Sequence, residues 1–376
     1  MIDHGYQTRT WDELKAETLA RAERGAYPVF AIKPDDARAA LAMIHDLDPD
    51  AWGGSWMAVG DRFMEQAQQA EASDASIAAQ HYLYAWRLYT LGRWPVMSAP
   101  NKRVSYDKAQ VAFAAYGRLV TPIIEPLSIP FEGTTIKAWL QKPEGVARPP
   151  VTINIGGSDL WKDSVAIQAR GFLEHGIAAI AVDKPGTADA PVPARPGSER
   201  MISAIIDFLQ TRSDLDGTRV IVRGQSWGSY WSARAAYAEV ARLKGAVFQS
   251  GPVHRYFQRE WQQEAFKTKE FLFDYVPSRL HMLGVSTVEE AFAVMPSLSL
   301  VDSGLIDQPT PPMLLITGAK DTQVPFSDFI LMMEHGSPKH AWVNPQGQTM
   351  GRSLTMKDDD IFRDVVVPWV KARFEL

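Results

Sequence analysis

From about residue 120 onward the chain sets six short apolar runs, VTINIGG, IAAIAVD, RVIVRG, GAVFQSG, PMLLITG and HAWVNP, between longer stretches of helical character. Runs of this kind have no polar face to leave in water, so they belong to strands covered on both sides, and the intervening helices supply the cover. The expected fold class is therefore α/β, a mostly parallel sheet flanked by helices, with ligands at the carboxyl ends of the strands. Ahead of these runs, IIEPLSIPFEG and TTIKAWLQKP read as an antiparallel pair joined at Glu132 and Gly133.

Residues 1–118 have a different rhythm, with helical segments such as TWDELKAETLARAERG and SIAAQHYLYAWRLYTLG and few β-branched runs. The chain of 376 residues therefore divides into an N-terminal helical cap domain, 1–118, and an α/β domain, 119–376. Within the second, 252–300 is long, aromatic and helical, and is expected to lie above the sheet as a lid. The formal net charge of −5 offers no basic footprint for nucleic acid or an anionic lipid surface. There is no cysteine, which removes disulfides and thiol catalysis, and no metal-binding spacing such as HExxH. The first 25 residues carry early acids and no apolar core, unlike a signal peptide, and no window has the length of apolar sequence needed to span a bilayer. The expected setting is cytoplasmic, with a small-molecule substrate and no nucleic acid or membrane partner.

The sharpest motif is Gly224-Gln225-Ser226-Trp227-Gly228, preceded by a strand and followed by a helical run. In that context G-x-S-x-G is a nucleophile elbow: the small residues permit a tight turn that lifts the Ser226 hydroxyl above the sheet, and the Trp227 amide can donate to an oxyanion. Gly156, Gly157 and Ser158 follow the strand VTIN, and backbone amides at Gly157 and Ser158 are expected to supply the second oxyanion donor. Asp163, near the next helix start, is either a first-turn acid or an active-site carboxylate; Trp161 and Asp163 are carried as candidate substrate contacts. Asp321 stands in the loop after the strand PMLLITG and precedes a new helix, where a carboxylate can orient a catalytic base; Asp328 and Asp302 compete with it from a helix and a connecting segment.

These residues resemble the α/β-hydrolase superfamily over roughly 120–376. With the helical N-terminal unit and the segments GGSDLWKD and GQSWGS, the chain looks like the branch holding fermentation-respiration-switch-type esterases, dihydroxypseudooxynicotine hydrolase and polyketide-shortening hydrolases. The resemblance implies a carboxylate at the position of Asp163, a homodimer through the helical domain, and a histidine after the last strand. That histidine is missing. Gln348 stands 27 positions after Asp321, where the base is expected, and glutamine cannot take and return a proton near neutral pH. His340 begins the strand, at its far end from the expected site, and His335 ends a helix. His254, after GAVFQSG, lies at the right sheet edge and is either a pocket-lining group, a base or a structural histidine; His4, His45, His81 and His281 have no motif around them.

The expectation is a serine hydrolase acting through an acyl-enzyme on a carboxylic ester or related carbonyl compound, needing no cofactor. Ser226 would be the nucleophile, Asp321 the orienting acid and Gln348 the occupant of the base position. The chain is then either an inactivated variant of such an enzyme or a natural protein working without the usual base. C–C hydrolysis of a β-diketone-like substrate and non-catalytic small-molecule binding are the alternatives. Twelve tryptophans, several in 52–94 and 227–261, suggest aromatic pocket walls suited to a mid-sized apolar substrate.

Overall fold

A computed structural model describes residue 6 and residues 9–376. His4 lies outside the described residues. The chain forms two compact units, one comprising residues up to Ile124 together with Phe266–His281, the other Glu125–Ala265 and Met282–Leu376.

The first unit holds helices α1 (Trp11–Arg24), α2 (Pro34–Leu41), α3 (Pro49–Ala70), α4 (Ala75–Arg93) and α5 (Pro100–Leu119). Their ends follow local chemistry. Thr10 and Glu13 form a reciprocal capping box on α1, and Gly25 ends it at φ +61. Helices α3 and α5 approach closely, since a methyl group on Gly53 would sit 2.6 Å from the Lys102 amide. Trp52, Trp56, Trp86, Tyr89 and Phe113 fill this unit's core. Lys102, buried, pairs with Asp274 at 2.8 Å and lies 4.6 Å from the centre of the Phe273 ring, which binds the 266–281 segment to these helices. None of the helices among the described residues is long and apolar enough to cross a membrane.

The second unit carries strands β1 (Ile124–Phe131), β2 (Thr134–Gln141), β3 (Pro150–Ile155), β4 (Ala178–Val182), β5 (Asp216–Gln225), β6 (Leu243–Gln249), β7 (Met313–Gly318) and β8 (His340–Asn344), in the order β1-β2-β4-β3-β5-β6-β7-β8. From β4 through β8 all neighbours are parallel, and β2 joins β4 antiparallel. Glu132 and Gly133, both at positive φ, make the two-residue turn between β1 and β2. Strands β3, β4 and β7 are buried at every residue, which accounts for their continuous apolar sequence. Helices α6 (Lys162–Ala169), α7 (Arg200–Thr211) and α8 (Trp227–Ala238) follow β3, β4 and β5.

The 252–300 stretch, expected as a single lid, divides instead. Residues 266–281, with most of α10 (Tyr275–Leu283), belong to the helical unit, whereas the flanking pieces, with α9 (Arg259–Ala265) and α11 (Val288–Val294), belong to the α/β unit. The aromatic content that suggested one lid is consumed in two different cores: Phe271 packs on Trp94, and Phe257 on Trp227. Most of the tryptophans read as pocket walls are likewise core residues. Trp52, Trp56, Trp94, Trp227 and Trp231 are 2% exposed or less, because large indoles stabilise each unit most when fully buried.

Candidate active site

The elbow begins with the strand end. Ser226 sits between β5 and α8 at φ 50 and ψ −122, a conformation that costs a non-glycine residue of order 1–3 kcal/mol. Its flanking glycines are obligatory. A methyl on Gly224 would lie 2.2 Å from the Gly228 carbonyl oxygen, and one on Gly228 would lie 2.2 Å from the Ile155 oxygen. The turn is pinned from β6 as well, since the Ser226 amide donates to the Gln249 carbonyl at 2.8 Å. Trp227 is the first residue of α8, so its N–H has no acceptor within the helix. Its indole points elsewhere, donating to the Tyr256 hydroxyl at 2.9 Å.

The loop after β3 reaches the same place. The Cβ direction of Gly157 ends 3.4 Å from Ser226 Cβ and 3.9 Å from its Oγ, so this loop runs in van der Waals contact with the nucleophile. The turn that carries Ser226 and Trp227 and the loop that carries Gly157 therefore meet.

Asp321 follows β7. Its Oδ1 accepts from the Gln323 and Val324 amides at 2.9 and 3.1 Å and from the Thr349 hydroxyl at 3.0 Å, while Oδ2 is buried without a hydrogen-bond partner. Burial pushes its carboxyl above the ordinary carboxylate range, and these donors offset only part of the rise. Asp328 is excluded as the orienting acid. It is fully buried and accepts the amides of Val253, His254, Arg255 and Tyr256 at 2.8–3.2 Å, organising the turn after β6. Asp302 is half exposed and lies 3.7 Å from His254 Nδ1.

The base position needs correction. Gln348 is exposed, and its side chain makes no hydrogen bond to Ser226, Asp321 or any other described residue. Its backbone explains this: the amide donates to Arg352 at 2.7 Å, the carbonyl accepts from Gly351 at 2.9 Å, and Met350 turns left-handed at φ 62. This tight turn sends side chain 348 outward and side chain 349 inward, so buried Thr349 makes the contact with Asp321 expected of Gln348. The loop is fixed there, with the Met350 amide on Ser250 Oγ at 3.1 Å and its carbonyl on Gln249 Nε2 at 3.0 Å. Gln249 thus holds both the nucleophile's backbone and the loop facing the acid.

Three of the described histidines have other partners. His254 Nδ1 lies 2.7 Å from Ser299 Oγ and 3.3 Å from Gln258 Nε2, and the residue borders a surface hollow of about 660 Å³ with Phe326, Ile330 and Leu331. His335 pairs with Asp307 at 2.8 Å, and His340 is exposed against Trp369. Trp161 and Asp163 are each 1% exposed. Asp163 is one of three carboxylates around Lys162. Burial alone would lower that ammonium's pKa, but Asp183, Asp189 and Asp163 together outweigh burial and hold it above the ordinary value. A role for Asp163 in the first turn of α6 and in this charge cluster follows.

Two groups escaped the sequence reading. Thr349 is one residue from the counted position, and only the turn geometry distinguishes 348 from 349. Lys184 is 2% exposed and donates to the carbonyls of Gly157 and Ser158 at 2.6 and 3.2 Å. A lysine in a loop after a strand ordinarily reads as solvated, so nothing in the sequence marks it.

The chain resembles known proteins across both units. The family model described as Esterase FrsA-like matches residues 47–359. Hydrolase ORFZ of Pyricularia oryzae is 29% identical over 222 residues, covering 52% of this chain and 52% of that protein. Esterase FrsA of Enterobacter sp. (strain 638) is 27% identical over 272 residues, covering 69% and 64%. The matches therefore span from about half to under two thirds of these relatives' own length. The solved 2,6-dihydroxy-pseudo-oxynicotine hydrolase superposes with a TM-score of 0.73 at 19% identity, over 89% of this chain and 91% of that one, and shares the fold. By its sheet order, its elbow and a family match across most of its length, the chain has the α/β-hydrolase fold and belongs to the FrsA-like esterase family.

Proposed function

We propose that the chain is a serine hydrolase acting on a carboxylic ester through an acyl-enzyme on Ser226, with Thr349 in the place of the usual base. The observation that carries this reading is the strained Ser226 elbow facing the Gly157 backbone. Ser226 Oγ bonds to the substrate carbonyl carbon, the bond to the alkoxide leaving group breaks, and the serine proton passes to water. The Trp227 amide and the Gly157–Ser158 backbone receive the oxyanion, each donor contributing about 3 kcal/mol to the transition state. Water then cleaves the acyl–serine bond, releasing the carboxylic acid. A threonine hydroxyl cannot hold a proton between steps, so reaction depends on the oxyanion donors and binding, which alone give about 10³–10⁴-fold over water in triad enzymes.

The missing base also bears on which bond is cleaved. C–C hydrolysis expels a carbanion that needs a proton donor as it leaves, whereas an ester with an acidic alcohol leaves as a stable anion. Esters with good leaving groups are thus favoured over β-diketones. A fluorophosphonate probe should label the chain, and peptide mapping should find the adduct on Ser226. A short-chain p-nitrophenyl ester should give a burst followed by slower turnover. Adduct on another residue, or no reaction with either reagent, would overturn the reading in favour of a non-catalytic binding protein.

A further inference from the structure

We propose that Lys184 is a positioning residue for the oxyanion loop, holding and polarising the Gly157–Ser158 peptide from behind. The inference deepens the reading of Ser226 as a nucleophile and rests on it.

Strands β3 and β4 run parallel with Ile155 beside Val182, so the chain leaving β3 through Gly156 and Gly157 lies alongside the chain leaving β4 through Asp183 and Lys184. Both residues of the second chain clasp the first. Asp183 accepts the Lys162 amide at 2.8 Å and pairs with Lys162 Nζ at 2.8 Å, fixing the start of α6. Lys184 Nζ donates to the Gly157 carbonyl at 2.6 Å, to the Ser158 carbonyl at 3.2 Å and to Thr187 Oγ1 at 3.4 Å. Thr187 in turn donates to the Lys184 carbonyl at 2.9 Å. The oxyanion loop is therefore held at both ends by two consecutive residues of one turn.

The chemistry follows from the peptide group. The Gly157 carbonyl and the Ser158 N–H belong to one planar trans unit and point in opposite directions. A cation on the carbonyl oxygen draws electron density through the amide and makes the N–H on the opposite side a better donor, the cooperative strengthening of linked hydrogen bonds. It also fixes that N–H in direction before reaction, which is how an oxyanion donor avoids reorganisation in the transition state.

The test uses the full chain with Lys184→Met, which keeps the length of the stem, and Lys184→Gln, which keeps a neutral donor and serves if the methionine variant does not fold. Phosphonylation of Ser226 should slow about 10- to 100-fold in Lys184→Met, less than or equal to the loss of one oxyanion donor, with Lys184→Gln between it and the parent. The concentration dependence of inactivation should keep the same half-saturation, because the loss falls on the chemical step. A merely structural lysine would instead weaken binding and thermal stability together and leave the rate at saturation unchanged. With selective ¹⁵N-serine labelling, the Ser158 amide resonance, assigned through Ser158→Ala, should move upfield in both variants. An unmoved resonance overturns the inference, as does an unchanged saturating rate. If the parent chain itself fails to label, the hydrolase reading falls, and the Ser158 resonance alone decides whether Lys184 polarises this peptide.

Discussion

Restoring a base at the right residue is the most demanding test of the site. Thr349 is buried and its Oγ1 lies 3.0 Å from Asp321 Oδ1. In Thr349→His the ring can donate Nδ1–H to Asp321, a charge-assisted bond worth about 1.5–3 kcal/mol. The larger ring must be accommodated among residues that now enclose a threonine, at a cost of about 1–3 kcal/mol. The two terms are of similar size, so the variant should fold. General acid–base catalysis contributes typically ~10²–10⁴-fold, so turnover of a short-chain p-nitrophenyl ester should rise by about that factor. The rate should also acquire a new inflection near the histidine range, increasing as the imidazole loses its proton, whereas the parent chain lacks that inflection. Gln348→His is the control. Its side chain points to solvent, so the ring would not meet Asp321 and no comparable gain should follow. Equal gains in the two variants, or none in Thr349→His while Ser226 still reacts with a phosphonate, would refute the assignment of position 349.

Three further outcomes are expected. Ser226→Gly should abolish phosphonate labelling yet raise stability by about 1 kcal/mol, read as an increase in Tm, because glycine relieves strain of order 1–3 kcal/mol at φ 50 and gives back about half to one kcal/mol as chain entropy. Gly228→Ala should lose soluble protein through a 2.2 Å approach to the Ile155 oxygen, whereas Gly157→Ala, whose methyl would rest at an ordinary 3.4 Å from Ser226 Cβ, should give soluble protein in normal yield. Asp321 has a folded pKa above its unfolded value, so its contribution is full below the ordinary value of 3.8 and is lost as pH rises through the folded one. Asp321→Asn should therefore be more stable than the parent at pH 7, and thermal melts should show this advantage shrinking to nothing on acidification below the carboxylate range.

The one-dimensional order of residues determined much of this protein. Apolar runs such as IAAIAV can only be doubly covered strands, and strand β4 is buried throughout as that requires. The glycines around Ser226 mark backbone approaches too close for a Cβ, so the elbow is legible in the sequence. Other features depended on tertiary contacts. Residues 348 and 349 differ by one step in a turn whose shape is set by Ser250, Gln249 and Arg352, and no local pattern says which side chain faces Asp321. Residues 252–300 look like one aromatic helical insertion, but partition between two cores according to partners far away in sequence, Trp94 for Phe271 and Trp227 for Phe257. Lys184 acquires its place behind the oxyanion loop only because β3 and β4 end side by side. Periodicity and backbone strain are local properties and are written in neighbouring residues; the direction of a side chain in a turn, and the core to which a helix commits, are decided by residues brought near only when the sheet has formed.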